Sequence, residues 1–287
     1  MSGFDDGGMA PPPPPPSAGG GGAIPQRGIG DILTTAFELY RANAAKLLTL
    51  VAVVVIPLTL ISAIITVWIN DNADQVVQTT VDPRTGQITS ATVDTSTFGS
   101  TIVLGVLTAL IVAVIQQLLT GAITRGAAGS VVGREVDVRA SYSYALSRLW
   151  GLIGLAILIG LVVGIGFILL IIPGVIFLVF LSVAIPAFVI EKLGVTTAMS
   201  RSWNLVRNYW WHTLGVIAVT FVITWLIGTV LGAIGGSSLI GIWLTSAIAQ
   251  TLTAPFMALV LVLLYVDLRA RHEGLSAGQL GAELDAA

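Results

Sequence analysis

Apolar residues in this chain run on unbroken over long stretches instead of alternating or recurring as a stripe, and the charged residues are gathered between the runs. Leu47–Asn70 is 24 residues without Lys, Arg, Asp or Glu, and Thr95–Thr124 is 30. Leu149–Ile190 is 42 such residues and Asn208–Val266 is 59. One crossing of a hydrocarbon core takes about 20 residues. The first two runs are therefore single spans, and the last two hold two each. Pro173-Gly174 divides the third run, and Gly235-Gly236-Ser237-Ser238 divides the fourth, as helix-ending punctuation does. The pattern predicts six spans, at about 47–68, 99–123, 150–172, 174–190, 211–234 and 239–266. The third and fourth form a tight hairpin, since 42 residues are too many for one re-entrant element kinked at Pro173.

Three segments leading into spans have a helical stripe. Leu33, Phe37, Tyr40 and Ala44 recur on one face, with Thr34, Glu38 and Arg41 opposite. Tyr142, Ala145, Leu146 and Leu149 share a second face, with Arg148 off it. Met199, Trp203, Val206 and Trp210 make a third, opposite Arg201, Asn204 and Arg207. Such stripes suit helices lying flat at headgroup level. The fold class expected is all-α: a polytopic bundle of six transmembrane helices, with short amphipathic cytoplasmic helices before spans 1, 3 and 5. Thr34-Thr35-Ala36-Phe37 and Thr196-Thr197-Ala198-Met199 read alike, which suggests a weak threefold repeat of one such helix and two spans or a chance likeness of amphipathic helices.

Charge then orients the bundle. Six spans put both termini and the loops 125–148 and 191–209 on one face, which collects 12 of the 13 Lys and Arg residues and leaves Arg84 opposite. The positive-inside rule makes that face cytoplasmic. Residues 71–98 are then external. The expected place is the bacterial cytoplasmic (plasma) membrane, multi-pass, with both termini cytoplasmic and the first span an uncleaved anchor. Residues 1–26, with Pro11–Pro16 and Gly19–Gly22, read as a disordered cytoplasmic tail, 27–275 as the membrane domain and 276–287 as a C-terminal cytoplasmic tail.

Composition narrows the chemistry. The chain of 287 residues is 55% hydrophobic and 10% charged, far below the roughly 25% charged of soluble domains. A formal net charge of −2 argues against nucleic-acid binding. With no cysteine there are no thiolate ligands or nucleophiles, and His212 and His272 are the two histidines. The expected spans hold no Lys, Arg, Asp or Glu, and His212 sits at the edge of the fifth, beside Trp210 and Trp211, where aromatic belts form. Gly160, Gly164 and Gly166 are followed by no lysine and make no phosphate loop. No catalytic, cofactor-binding or metal site is expected, and no cofactor.

Two sets of residues remain as candidates. Arg41, Arg148, Arg201 and Arg207 lie on or beside the amphipathic segments, where they either fix topology or contact lipid headgroups or a partner. Gln116, Gln117, Gln250, Thr251 and Thr253 are the densest polar groups at membrane depth, and either bond between helices or line a small cavity. Gly160 and Gly164, with Gly228 and Gly232, are expected to let helices approach closely. Pro57, Pro186 and Pro255 are expected to kink their spans.

The run Tyr265-Val266-Asp267-Leu268-Arg269-Ala270-Arg271-His272-Glu273-Gly274-Leu275 resembles the signature that closes the glycerophosphoryl diester phosphodiesterase membrane-domain family of bacteria. Ile172-Pro173-Gly174, Glu191-Lys192-Leu193-Gly194, Arg201-Ser202-Trp203 with Leu205-Val206-Arg207, and Gly28-Ile29-Gly30-Asp31-Ile32-Leu33 with Leu39-Tyr40-Arg41 are similar to the same pattern. The resemblance covers about residues 27–275, and the tail composition is similar to actinobacterial members. It implies a six-helix membrane module. The acid and histidine residues of a phosphodiesterase active site have no counterpart here, so hydrolysis is not implied.

The function expected is a non-catalytic integral membrane module, a scaffold or accessory protein in lipid or envelope processes, with membrane lipids as partners and room for an unknown protein partner. The alternative is a transporter or channel for a neutral or lipid-like substrate.

Overall fold

The computed structural model describes residues 24–93, 95–235 and 238–285. All but the last three residues of the expected N-terminal tail lie outside them. A short helix α1 (Ile29–Ala42) leads into α2 (Ala44–Val76), and a hairpin of β1 (Val77–Val81) and β2 (Ile88–Val93) leads into α3 (Thr95–Val131). Then come α4 (Val138–Ser147), α5 (Leu149–Leu169), α6 (Ile171–Leu181) and α7 (Ala184–Ile190). The last group is α8 (Val195–Val206), α9 (Trp210–Gly235), α10 (Leu239–Glu273) and α11 (Ala277–Asp285). Among the described residues, six segments are long and apolar enough to cross a membrane: α2, α3, α5, α6 continued by α7, α9 and α10. The protein is an all-α polytopic membrane protein. Short helix, span and span follow one another three times along the chain.

Several boundaries differ from the sequence reading for local reasons. The turn between the third and fourth spans falls at Leu170, and Pro173 sits in the first turn of α6, where no intrahelical N–H bond is lost. Gly166 and Gly174 face each other across this turn so closely that a Cβ on Gly166 would lie 2.9 Å from the Cα of Gly174. The fourth span breaks at Ser182–Val183, and Pro186 lies in the first turn of the resumed helix α7. Pro57 and Pro255 lie within continuous helices. The loop expected at 71–98 carries the antiparallel pair β1–β2, turned through Asp82, which accepts from the Arg84 N–H at 2.8 Å, and Gly86 at φ +68°. The expected C-terminal tail folds as α11, whose Leu280 and Leu284 are buried.

The core sits at one end of the bundle, the end that carries both described termini. Ile24 N–H donates to Leu275 C=O at 3.0 Å, tying those termini together. Every residue of α10 from Val262 to Ala270 is buried, because α1, α2, α3, α8 and α9 surround it. A helix buried on all sides has no polar face to spare. Toward the opposite end the helices expose aliphatic side chains such as Ile168 and Ile234, as lipid-facing surfaces do.

The three short helices bury their small residues. Ala36 on α1, Ser141 and Ala145 on α4, and Ala198 and Ser202 on α8 pack inward, while Phe37, Leu146 and Trp203 point out at 53%, 63% and 39% exposure. On α1 the buried face is turned by about one residue from the expected stripe, whereas Ala145 on α4 and Val206 on α8 belong to their expected stripes and are buried. Small side chains let helix axes approach, and Ile32 and Leu205 pack inward beside them. The glycines at tight contacts also differ from those expected. Gly160, Gly164, Gly228 and Gly232 meet nothing within 4 Å, whereas Gly151 lies under Phe188 and Gly215 under Ile29.

Candidate functional site

The polar residues of the bundle gather in three places, the first being the end of α10. Continuation of α10 past Val266 brings Asp267, Arg269, Arg271 and Glu273 into the packed end, at i,i+4 spacings that pair each acid with a base. Asp267 is fully buried. Its Oδ1 accepts from the Arg27 N–H at 2.7 Å, and its Oδ2 accepts from Arg271 Nε at 2.7 Å and lies 3.4 Å from His212 Nε2. Arg271 Nη2 donates to the Arg27 carbonyl at 2.6 Å. Backbone and side chain thus close a ring that fastens the N-terminal segment to α10.

One turn away lies a second set of charges. Glu191, at the end of α7, accepts from Arg201 Nε at 2.8 Å and from the Tyr265 hydroxyl. Arg201 Nη1 also reaches Glu273 at 2.5 Å. Arg269 grips Glu283 of α11 through both Nη atoms, at 2.7 and 2.9 Å, and its Nε donates to Glu273 at 3.2 Å. Burial lowers the pKa of Arg201, but the carboxylates of Glu273 and Glu191 outweigh it and the guanidinium is held above its usual value. Buried pairs of this kind are costly to break, because the survivor is left as an uncompensated charge.

The second place is at membrane depth. A cavity of about 480 Å³ between α2, α3 and α10 is lined by Thr59, Ser62, Gln116, Trp243, Ser246 and Gln250 among others. Trp243 Nε1 donates to Thr59 Oγ1 at 3.1 Å and closes one wall. Of the five polar residues expected to cluster, Gln116 and Gln250 meet here. Thr251 opens on a separate apolar groove beside α2, with its hydroxyl buried and unpartnered. Thr253 returns its hydroxyl to the Ala249 carbonyl at 2.7 Å, and Gln117 is half-buried off the cavity.

The third place is the turn after α7, where Arg148 alone of the four expected headgroup arginines lies. Arg41 is exposed, 5.8 Å from the Phe37 ring, and Arg207 is exposed. Arg201 is engaged in the ion pairs just described. Arg148 lies 4.6 Å over the Phe188 ring and donates to the Leu193 carbonyl at 2.7 Å. Beside it is Lys192, a non-glycine residue at φ +54°.

Sequence reasoning missed Asp267, Glu191, Tyr265 and Lys192 as polar centres. The i,i+4 acid–base spacing of 267/271 and 269/273 was the available signal. It also set no acid beside His212, because residues 55 positions apart carry no mark of their contact. His272 bonds the Leu205 carbonyl at 3.1 Å and packs edge-on to Tyr209. Among the described residues no group of three or more His, Cys, Asp or Glu is placed to hold a metal.

Comparison of the chain with protein-family models, with curated proteins and with solved structures gives no match.

Proposed function

We propose that this chain is a non-catalytic membrane module of the bacterial cytoplasmic membrane, with both termini cytoplasmic, serving as a scaffold or accessory protein in lipid or envelope processes. The observation that supports this reading is the disposition of its buried charge. Glu191, Arg201, Asp267, Arg269, Arg271 and Glu273 are engaged with one another and with the backbone, and the cavity at membrane depth is lined by neutral groups. Charge used this way holds an end of the bundle rigid and presents the short helices at a fixed level. The exposed Phe37, Leu146 and Trp203 suit contact with the interfacial region of the bilayer or with a partner helix. The kinship with the phosphodiesterase membrane-domain family belongs to the same proposal and is carried by the residue patterns alone.

The cavity of Gln116 and Gln250 favours a second reading, passage or holding of a neutral, hydrogen-bonding, lipid-like molecule. Complementation separates the two. In a deletion strain with an envelope phenotype, the variant carrying Gln116→Leu and Gln250→Leu at normal membrane levels restores growth if the chain is a scaffold. Failure to restore it overturns the scaffold reading in favour of the conduit.

A further inference from the structure

The turn from α7 to α8 is built in a way that its own contacts do not account for. Lys192 holds a left-handed backbone at φ +54°, a conformation that costs a bulky residue free energy and that glycine would adopt freely. Its ammonium nitrogen is covered by neighbouring atoms and has no hydrogen-bond partner. Burial lowers its pKa, and the charged groups acting on it, Arg125 and Arg148, are two more cations that lower it further. Arg148 is fixed by the Phe188 ring and the Leu193 carbonyl. Arg125 lies 4.9 Å over the Tyr144 ring, donates one Nη to the Leu284 carbonyl at 2.7 Å, and leaves the other buried and unpartnered. Glu191, adjacent in sequence, is taken by Arg201 and Tyr265, and Asp285 is taken by Arg134 at 2.6 Å. Three cations at one place, one of them on a strained backbone, repel one another unless an anion joins them.

Lys192 and Arg148 border a groove of about 330 Å³ that Trp150, Phe188 and Gly194 complete. Trp150 is 83% exposed and stands in the first turn of α5, where the span begins. An indole at the mouth of a span marks the level of the lipid headgroups. Behind the groove, α8 starts at Gly194 with no side-chain cap on its first N–H groups. We propose that this groove binds the phosphate of an anionic membrane phospholipid, with Arg148 on its oxygens, Lys192 close behind as an unneutralised cation, and Trp150 beside its glycerol and upper acyl chains. Arg125, held by the Tyr144 ring and the Leu284 carbonyl, adds a further positive charge that acts on Lys192. The proposal needs the chain to lie in a bilayer, and it stands whether the module is a scaffold or a conduit.

Lys192→Gly tests it, because glycine relieves the backbone and removes the charge together. The whole protein, purified in mild detergent, is offered phosphatidylglycerol, phosphatidylcholine or inorganic phosphate, and retained lipid is counted by native mass spectrometry alongside a thermal melt. The expected result is a melting point at or above that of the parent with phosphatidylglycerol retention down roughly fivefold, as loss of one charge at an anionic surface gives. Arg139→Gln, an exposed cation of α4 outside the groove, retains phosphatidylglycerol as the parent does. Unchanged retention in Lys192→Gly overturns the site, and so does an equal loss in Arg139→Gln, which reports only a diffuse field. Stabilisation by inorganic phosphate with no preference for phosphatidylglycerol over phosphatidylcholine overturns the lipid as the source of the anion. Should Lys192→Gly melt lower, Lys192→Gln carries the same comparison on the native backbone, with the same fivefold loss expected.

Discussion

The carboxylate of Asp267 accepts the backbone N–H of Arg27 at 2.7 Å, joining residues 240 positions apart. Arg271 completes the ring, donating to the other oxygen of Asp267 and to the carbonyl of Arg27. A fully buried carboxylate is thereby satisfied by one guanidinium and one peptide, and the segment before α1 is held against the last span. Removing the carboxylate leaves the guanidinium without its acid in a packed interior.

Asp267→Ala should therefore lower stability by about 3 kcal/mol or more, the usual cost of orphaning one member of a buried pair. Asp267→Asn keeps an acceptor for the Arg27 N–H and should fall between. Thermal melts in detergent give the order, and trypsin cleavage after Arg27 should become faster in Asp267→Ala. A melt of Asp267→Ala equal to that of the parent would refute the ring's structural role.

A pH effect follows from Tyr142. Its hydroxyl donates to the Leu50 carbonyl at 2.5 Å, and burial pushes its pKa up to about 12. A phenol with a raised folded pKa favours the folded state fully below its unfolded pKa, about 10, and loses that contribution as pH rises toward 12. Parent stability should decline between pH 10 and 12, and Tyr142→Phe should decline less over the same interval. Unfolding curves at pH 9 and pH 11.5 measure the difference. Parallel declines would mean that this tyrosine is not shielded.

Much of the fold was legible because the bilayer demands uncharged runs of a set length, and those runs can be counted between Lys46 and Asp71 or between Arg207 and Asp267. What runs of apolar residues do not encode is which side of each helix meets another. Phe37 and Ala36 are neighbours that both fit an inward face, and the choice of Ala36 is made by how closely α10 approaches. Polar pairing was legible only where it is local. Arg269 with Glu273 is a helical spacing, whereas Tyr265 with Glu191, or Trp243 with Thr59, exists only after the chain has folded. Among the candidate sites, Gln116 and Gln250 were found because amides in an apolar run stand out. Lys192 was passed over because one lysine in a turn looks like any other until its φ is known.

The glycines give a sharp test of that packing. Gly164 and Gly166 are two residues apart on α5, one in open space and one against the backbone of Gly174. Gly166→Ala should destabilise by about 1–3 kcal/mol, since backbone cannot step aside as a side chain can. Gly164→Ala should be neutral or stabilising by up to ~1 kcal/mol, because alanine is the better helix former. Melting the two variants side by side decides it, and a reversed order would mean that α5 faces the other way.

Orientation decides which leaflet the proposed lipid groove faces. With six crossings, twelve basic residues fall on the face with the termini and Arg84 opposite, so the positive-inside rule leads us to expect the hairpin turn outside the cell and α4 inside. The test sites must be exposed on their own account, or a buried thiol would mimic a cytoplasmic one. Ser141 is buried and unsuitable, whereas Ser143 on α4 and Thr85 in the hairpin turn are exposed. The parent has no cysteine, so any labelling comes from the introduced residue. In intact cells an impermeant maleimide should modify Thr85→Cys and leave Ser143→Cys untouched until the membrane is permeabilised. The opposite pattern would place the termini outside and move Lys192 and Arg148 to the external leaflet. Labelling of both sites in intact cells would mean that the six spans do not all cross.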